Sequence, residues 1–216
     1  HHVRPDDPTA GIELPRIPRR EPKHLDERQV ATLVASLPTE TPRDVRDRAI
    51  VVLALNSGMR CGEVAGLALA GLDWARGQAV IIGKGSKQRR VPLAGPVVEA
   101  LRAWLAIRPA ADHERVFCAP GDMLPVTPGD VGESIRKAYK RAGIAGFRPH
   151  DLRHTFATRT LAAGVPMHVI QAWMGHSSIA TTQIYAHTIV DASHLALLNG
   201  LASPRSSENT EEVNNG

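Results

Sequence analysis

The chain has 216 residues, 43% hydrophobic and 4% aromatic, with a formal net charge of +4. That length and apolar share suit a folded domain with a sizeable core, and the charge leans toward an anionic partner. The few aromatics argue against base stacking on ring platforms, and two cysteines, Cys61 and Cys118, exclude a disulfide framework or a four-thiolate metal site.

No apolar run approaches membrane-spanning length, so no membrane association is expected, and no secretory signal is read at the start of the chain. A reducing cytosol is the expected setting, with Cys61 a reduced thiol at the edge of the core. His1 and His2 are read as a tag remnant. Residues 3–24 carry five prolines and many charges, the composition of an extended linker, so residues 1–24 are set apart from the domain.

From Leu25 the pattern turns helical. Asp26 can cap, and Val30, Leu33, Val34 and Leu37 recur at helical spacing. A second helix is predicted from about Arg43 to Ser57, with the apolar run Ile50–Leu55 and Gly58 ending it, and a short third from Glu63 to Leu69. The period then changes: AVIIG (79–83) and RRVPL (89–93) read as two strands of a hairpin around the turn KGSKQ. Helices resume at about 95–107, 127–142, 150–163, 166–174 and 178–186. Residues 188–201 form a last amphipathic segment, with Leu195, Leu198 and Leu201 three apart. The tail 203–216 is polar and aperiodic, and disorder is expected there. The predicted class is mainly α with a small antiparallel β-sheet (α+β), in one domain over 25–202.

Five places can carry chemistry. Arg60 follows a helix-ending glycine, and Lys84 lies between two glycines in the hairpin turn, where the loop can approach a ligand closely. RPHDLRHTFAT supplies His150, Arg153 and His154. His176 follows a glycine at a helix start, where backbone N–H groups can meet an anion, and Tyr185 lies nine positions on. Each has a plain alternative: a surface arginine, a solvated lysine, a half-buried tyrosine.

HDLRH raises a second question, because His150 and His154 would share one helix face as the ligands of zinc proteases do. Arg153 lies close by, however, and a fixed cation disfavours a dication. A zinc protease would also need a third ligand and an acidic base, and Asp151 is a shorter acid than the usual glutamate. The segment alone leaves a metal site and an anion site of His and Arg both open.

Taken together, order and spacing resemble the catalytic domain of the tyrosine recombinases, the phage-integrase and Xer-type enzymes. The resemblance runs from about Leu25 to Leu201. It rests on G-x-R-x-x-E-x-x-x-L at Gly58, Arg60, Glu63 and Leu67; GKG-x-K-x-R-x-VPL; H-x-L-R-H; and an LGHSS-like box followed by T-x-x-x-Y, where Met174 replaces the common leucine. It implies that Arg60 and Arg153 clamp the non-bridging oxygens of a scissile phosphate and that Tyr185 is the nucleophile. Lys84 would be the general acid for the departing 5′-oxygen, His150 an acid–base group, and His176 a hydrogen-bond donor to the phosphate. His154 matches no catalytic position and is read as structural. With Arg60, Lys84 and Arg153 crowded at the site, HDLRH is then read as an anion site, with no metal and no cofactor.

The implied activity is site-specific cleavage and rejoining of duplex DNA through a 3′-phosphotyrosine intermediate, without metal or ATP. Alternatives are type IB topoisomerase-like strand passage and a catalytically silent DNA-binding module. Arg19, Arg20, Lys23, Lys87, Arg89, Arg90, Lys137, Lys140 and Arg141 are candidate DNA-phosphate contacts. Relatives carry a further N-terminal domain, so the chain reads as a catalytic fragment. The resemblance also implies a homo-tetramer on paired DNA sites, joined through helix 188–201, accessory DNA-bending proteins, and a cytoplasmic, nucleoid-associated location.

Overall fold

A computed structural model describes residues 23–82 and 88–175. The first helix, α1 (Glu27–Ala35), starts where Asp26 and Gln29 bond each other's backbone N–H in a capping box. Thr41 and Asp44 open α2 (Pro42–Ser57) in the same way, with Pro42 in the first turn, where its missing N–H costs nothing. Ile50 to Leu55 are all buried, so the second half of α2 is apolar on every side and runs through the centre of the domain. It packs against α4 (Gly95–Ile107), α5 (Pro128–Arg141) and α6 (Asp151–Ala162).

The short third helix, α3, spans Cys61–Gly66, starting and ending earlier than the sequence suggests. Its start is advanced because Glu63 accepts the Arg60 N–H and so caps the helix from within. A 3-10 turn (Leu69–Gly71) and a two-residue strand, β1 (Leu72–Asp73), follow; neither was expected. The hairpin strands are β2 (Gln78–Ile82) and β3 (Gln88–Pro92). The sheet is antiparallel in the order β1-β2-β3, with Ala79 opposite Val91 and Ile81 opposite Arg89. The remaining helices among the described residues match their expected spans within a residue or so, the last described being α7 (Met167–Met174). The mainly α class with a small antiparallel sheet holds.

One core gathers around α2. A second cluster of Phe156, Ala157, Ile170 and Met174 packs α7 onto α6. That second cluster matters most here, because it fixes the end of α7 beside the helix that carries HDLRH. Residues 1–22, most of the turn KGSKQ, the helix expected at 178–186, segment 188–201 and the tail lie outside the described residues.

Candidate active site

Gly58 ends α2 in the left-handed region, at φ 63°, and turns the chain toward Arg60. A Cβ there would lie 2.4 Å from Cδ1 of Phe156 on α6, so only glycine lets the two helices approach this closely. Arg60 then takes the N-cap position of α3, its side chain 46% exposed.

Arg153 arrives from the opposite direction. It is 3% exposed on α6, and its Nη1 donates to the Gly58 carbonyl at 2.5 Å while Nη2 donates to the Met174 carbonyl at 2.6 Å. One side chain thus ties α6 to the loop before Arg60 and to the end of α7. The rigid fork of a guanidinium suits it to two acceptors at once.

His150 occupies the N-cap position of α6 without a side-chain capping bond and meets His154 edge-on, ring centroids 4.9 Å apart. The helical spacing does bring the two imidazoles together. Burial of part of the ring, then the Arg153 and Arg60 guanidiniums, hold His150 below the ordinary imidazole value, against the Asp151 carboxylate. Burial, followed by His150 itself, pushes His154 down to about 4. Both rings are therefore neutral at pH 7. Asp151 is buried and accepts the Arg148 backbone N–H at 2.7 Å. Among the described residues no group of three metal-ligating side chains forms.

Arg153 thus brings α6, with His150 at its start, to the Gly58 carbonyl two residues before Arg60. Lys84, His176 and Tyr185 lie outside the described residues, as do Arg19, Arg20 and Lys87. Of the other suggested DNA contacts, Lys23, Arg90, Lys137, Lys140 and Arg141 are exposed. Lys23 donates to the Gly146 carbonyl at 3.2 Å and lies over the Phe147 ring.

Arg89 is different. It faces inward, 12% exposed, with Nη1 and Nη2 on the two oxygens of Glu63 at 2.8 and 2.7 Å and Nε on the Trp173 carbonyl at 2.6 Å. Strand alternation could have signalled this, since Arg89 lies two residues before the buried Val91 and opposite the buried Ile81. Glu63, quoted in the first motif but given no role, also accepts the Arg60 N–H at 2.7 Å and Arg60 Nη1 at 3.1 Å. Burial works to raise its carboxyl, but the Arg89 hydrogen bonds and the Arg60 N–H prevail and hold it below the ordinary value.

A mainly helical domain that gathers two arginines and a neutral histidine at one site has the architecture of a DNA strand-breaking and rejoining catalytic domain. The comparisons with known proteins make this definite. The phage integrase family matches residues 23–191, and the chain belongs to that family. The tyrosine recombinase XerC of Haemophilus ducreyi is 34% identical over 216 residues, covering 98% of this chain and 69% of that protein. XerC of Xylella fastidiosa is 37% identical over 200 residues, covering 92% and 66%. The crystal structure of XerA recombinase superposes with a TM-score of 0.71 at 31% identity, over 86% of this chain and 67% of that one. XerH bound to palindromic difH substrate gives a TM-score of 0.72 at 23% identity, over 82% and 53%, which speaks for the fold alone. The chain is the catalytic domain of a tyrosine-type site-specific DNA recombinase, and it spans about two thirds of the length of these XerC relatives. Neither topoisomerase-like strand passage nor a silent binding module is favoured.

Proposed function

We propose that this domain cuts duplex DNA with Tyr185 as nucleophile, forming a 3′-phosphotyrosine bond and releasing a 5′-hydroxyl, without metal or ATP. The observation that supports the assignment is the hydrogen bond from Arg153 to Gly58, which joins the helix of His150 and Arg153 to the loop that presents Arg60. Attack on the phosphodiester gathers negative charge on the non-bridging oxygens, and Arg60 and Arg153 meet that charge with fixed donors. One such donor is typically worth about 10²–10³ in rate.

A tyrosine hydroxyl, with a reference pKa of about 10, needs a base or nearby cations to attack at neutral pH. His150, held neutral, has a ring nitrogen able to take the Tyr185 proton. The bond between phosphorus and the 5′-oxygen then breaks, and Lys84 delivers a proton to the departing oxygen. Acid–base assistance of this kind contributes about 10²–10⁴. His176 is assigned to hydrogen-bond the phosphate. In the return step the 5′-hydroxyl of a partner strand attacks the phosphotyrosine, so the bond energy is conserved.

The DNA is gripped through phosphates, with Arg19, Arg20, Lys23, Lys87, Arg90, Lys137, Lys140 and Arg141 as contacts. XerH is described bound to its difH substrate and the Tn1549 transposon integrase in complex with circular intermediate DNA, which supports duplex DNA as the partner here. Segment 188–201, with leucines at 195, 197, 198 and 201, is assigned to join copies into a tetramer on paired sites. Truncation at His187 should abolish self-association on DNA, and unchanged assembly would reject that role. Accessory DNA-bending proteins and a cytoplasmic, nucleoid-associated location complete the proposal.

Two differently marked duplexes from the flanks of the chain's own gene, incubated with the protein in EDTA, test the function. Recombinant joints between the marks are expected. Rejoining confined to each original strand would make it topoisomerase-like, and binding without cleavage would make it a silent DNA-binding module.

A further inference from the structure

We infer that Arg89 is a positioning residue of the recombinase site, which keeps Arg60 available to the phosphate by occupying Glu63 and braces the end of α7. The inference rests on the function proposed above for Arg60.

Glu63 is the only carboxylate that pairs with Arg60 among the described residues, and it could neutralise that guanidinium by pairing with it side by side. It does not, because Arg89 already holds both of its oxygens in a two-point contact. Arg60 is left with a single side-chain bond, from Nη1 to Oε1 at 3.1 Å, and with its backbone N–H on Oε2. The result is a tether, which limits the wandering of a half-exposed side chain without closing its fork. Without Arg89 the same carboxylate would turn onto Arg60 and cancel the charge the phosphate needs.

The third bond of Arg89 acts elsewhere in the site. Nε donates to the Trp173 carbonyl at 2.6 Å, one residue before the Met174 carbonyl that Arg153 holds. Gly175, at φ 64°, lies against the same guanidinium, since a Cβ there would come within 3.1–3.3 Å of Arg89 Cδ, Nε and Cζ. Arg89 therefore links β3, the start of α3 and the end of α7. A lysine, with one compact charge, cannot reproduce a two-point contact and a third bond at once. Arg90, next along the strand and exposed, is the arginine that faces solvent.

The test compares wild type, Arg89→Lys, Arg89→Met and Arg89→Met/Glu63→Gln in single-turnover cleavage of a nicked duplex at saturating protein. Loss of the aligned Arg60 donors should slow Arg89→Met by about 10²–10³. Removing the carboxylate as well should restore about tenfold of that loss, because nothing is left to neutralise Arg60. DNA affinity and its salt slope should stay within about twofold of wild type. A merely structural role would make the double variant as slow as the single or slower, and that outcome would overturn the inference. So would wild-type cleavage by Arg89→Met, or a salt slope lower by about one, the mark of a phosphate contact.

If Arg89→Met does not fold, having lost the three bonds to Glu63 and Trp173, Arg89→Lys and the double variant carry the comparison. Amide exchange of Arg60 and Gly175 supplies a readout independent of cleavage. Both amides should exchange about fivefold faster or more in Arg89→Lys, and unchanged exchange would reject the bracing role. Failure of wild type to cleave, with accelerated exchange in the variant, would refute the proposed function but leave the brace standing.

Discussion

Arg153 and Gly58 are joined by a 2.5 Å hydrogen bond from Nη1 to the carbonyl oxygen, across 95 positions of sequence. The arginine assigned to one side of the phosphate thus holds the backbone that presents Arg60 two residues later. Arg153→Lys should lose both the fork and one of the two carbonyl contacts. We expect cleavage to fall about 10²–10³-fold and stability to fall by about 1–3 kcal/mol as a buried carbonyl loses its donor. Single-turnover rates and denaturant midpoints on the same preparations check this; a variant with reduced stability but wild-type cleavage would confine Arg153 to a structural part.

Gly58 has the least room for a side chain among the described glycines. Gly58→Ala places a methyl group against Phe156 and a side chain in the left-handed region, and the two penalties together should cost about 2–4 kcal/mol. In a Phe156→Leu background the ring clash disappears and only the backbone penalty remains. The same substitution should therefore cost less there, as measured by urea denaturation. An equal cost in both backgrounds would mean that the ring does not set the requirement.

His154 gives the fold a defined acid sensitivity. Its folded value, about 4, lies below the ordinary 6.5, so on acidification the unfolded chain takes the proton first. Stability from the neutral ring is fully present above about pH 6.5 and declines as the pH falls toward 4. His150, shifted in the same direction, adds to this decline. His154→Gln should flatten the drop in denaturation midpoint between pH 7 and pH 4.5 relative to wild type. An identical drop in both proteins would place the sensitivity elsewhere.

Lys140 is exposed on α5 and makes no salt bridge among the described residues, whereas Arg141 reaches Asp44 at 3.6 Å. As a phosphate contact, Lys140→Ala should lower the slope of log affinity against log salt by about one and leave cleavage at saturating protein unchanged. Fluorescence anisotropy across a salt series would show this, and an unaltered slope would remove Lys140 from the interface.

Local rules made much of this fold readable in the sequence. Asp26 and Gly58 mark helix ends through side-chain chemistry and backbone freedom that act within a few residues. The hairpin was legible from its alternation, and HDLRH from its helical spacing. β1 was not, because two residues carry no period. The pairing of Glu63 with Arg89 joins residues 26 apart, and no local pattern encodes a contact of that range. The inward turn of Arg89 was available, since it shares a strand face with Val91. Its basic neighbourhood argued for DNA, and that composition signal outweighed the alternation.

Tyrosine attack at this site is read most directly by a covalent-adduct assay. Protein and nicked duplex would be incubated in EDTA, quenched in SDS, and compared for wild type and Tyr185→Phe. The expected result is an SDS-resistant protein–DNA adduct in wild type alone, with peptide mapping placing the phosphate on Tyr185. An adduct that persists in Tyr185→Phe, or that maps to another side chain, would contradict the assignment.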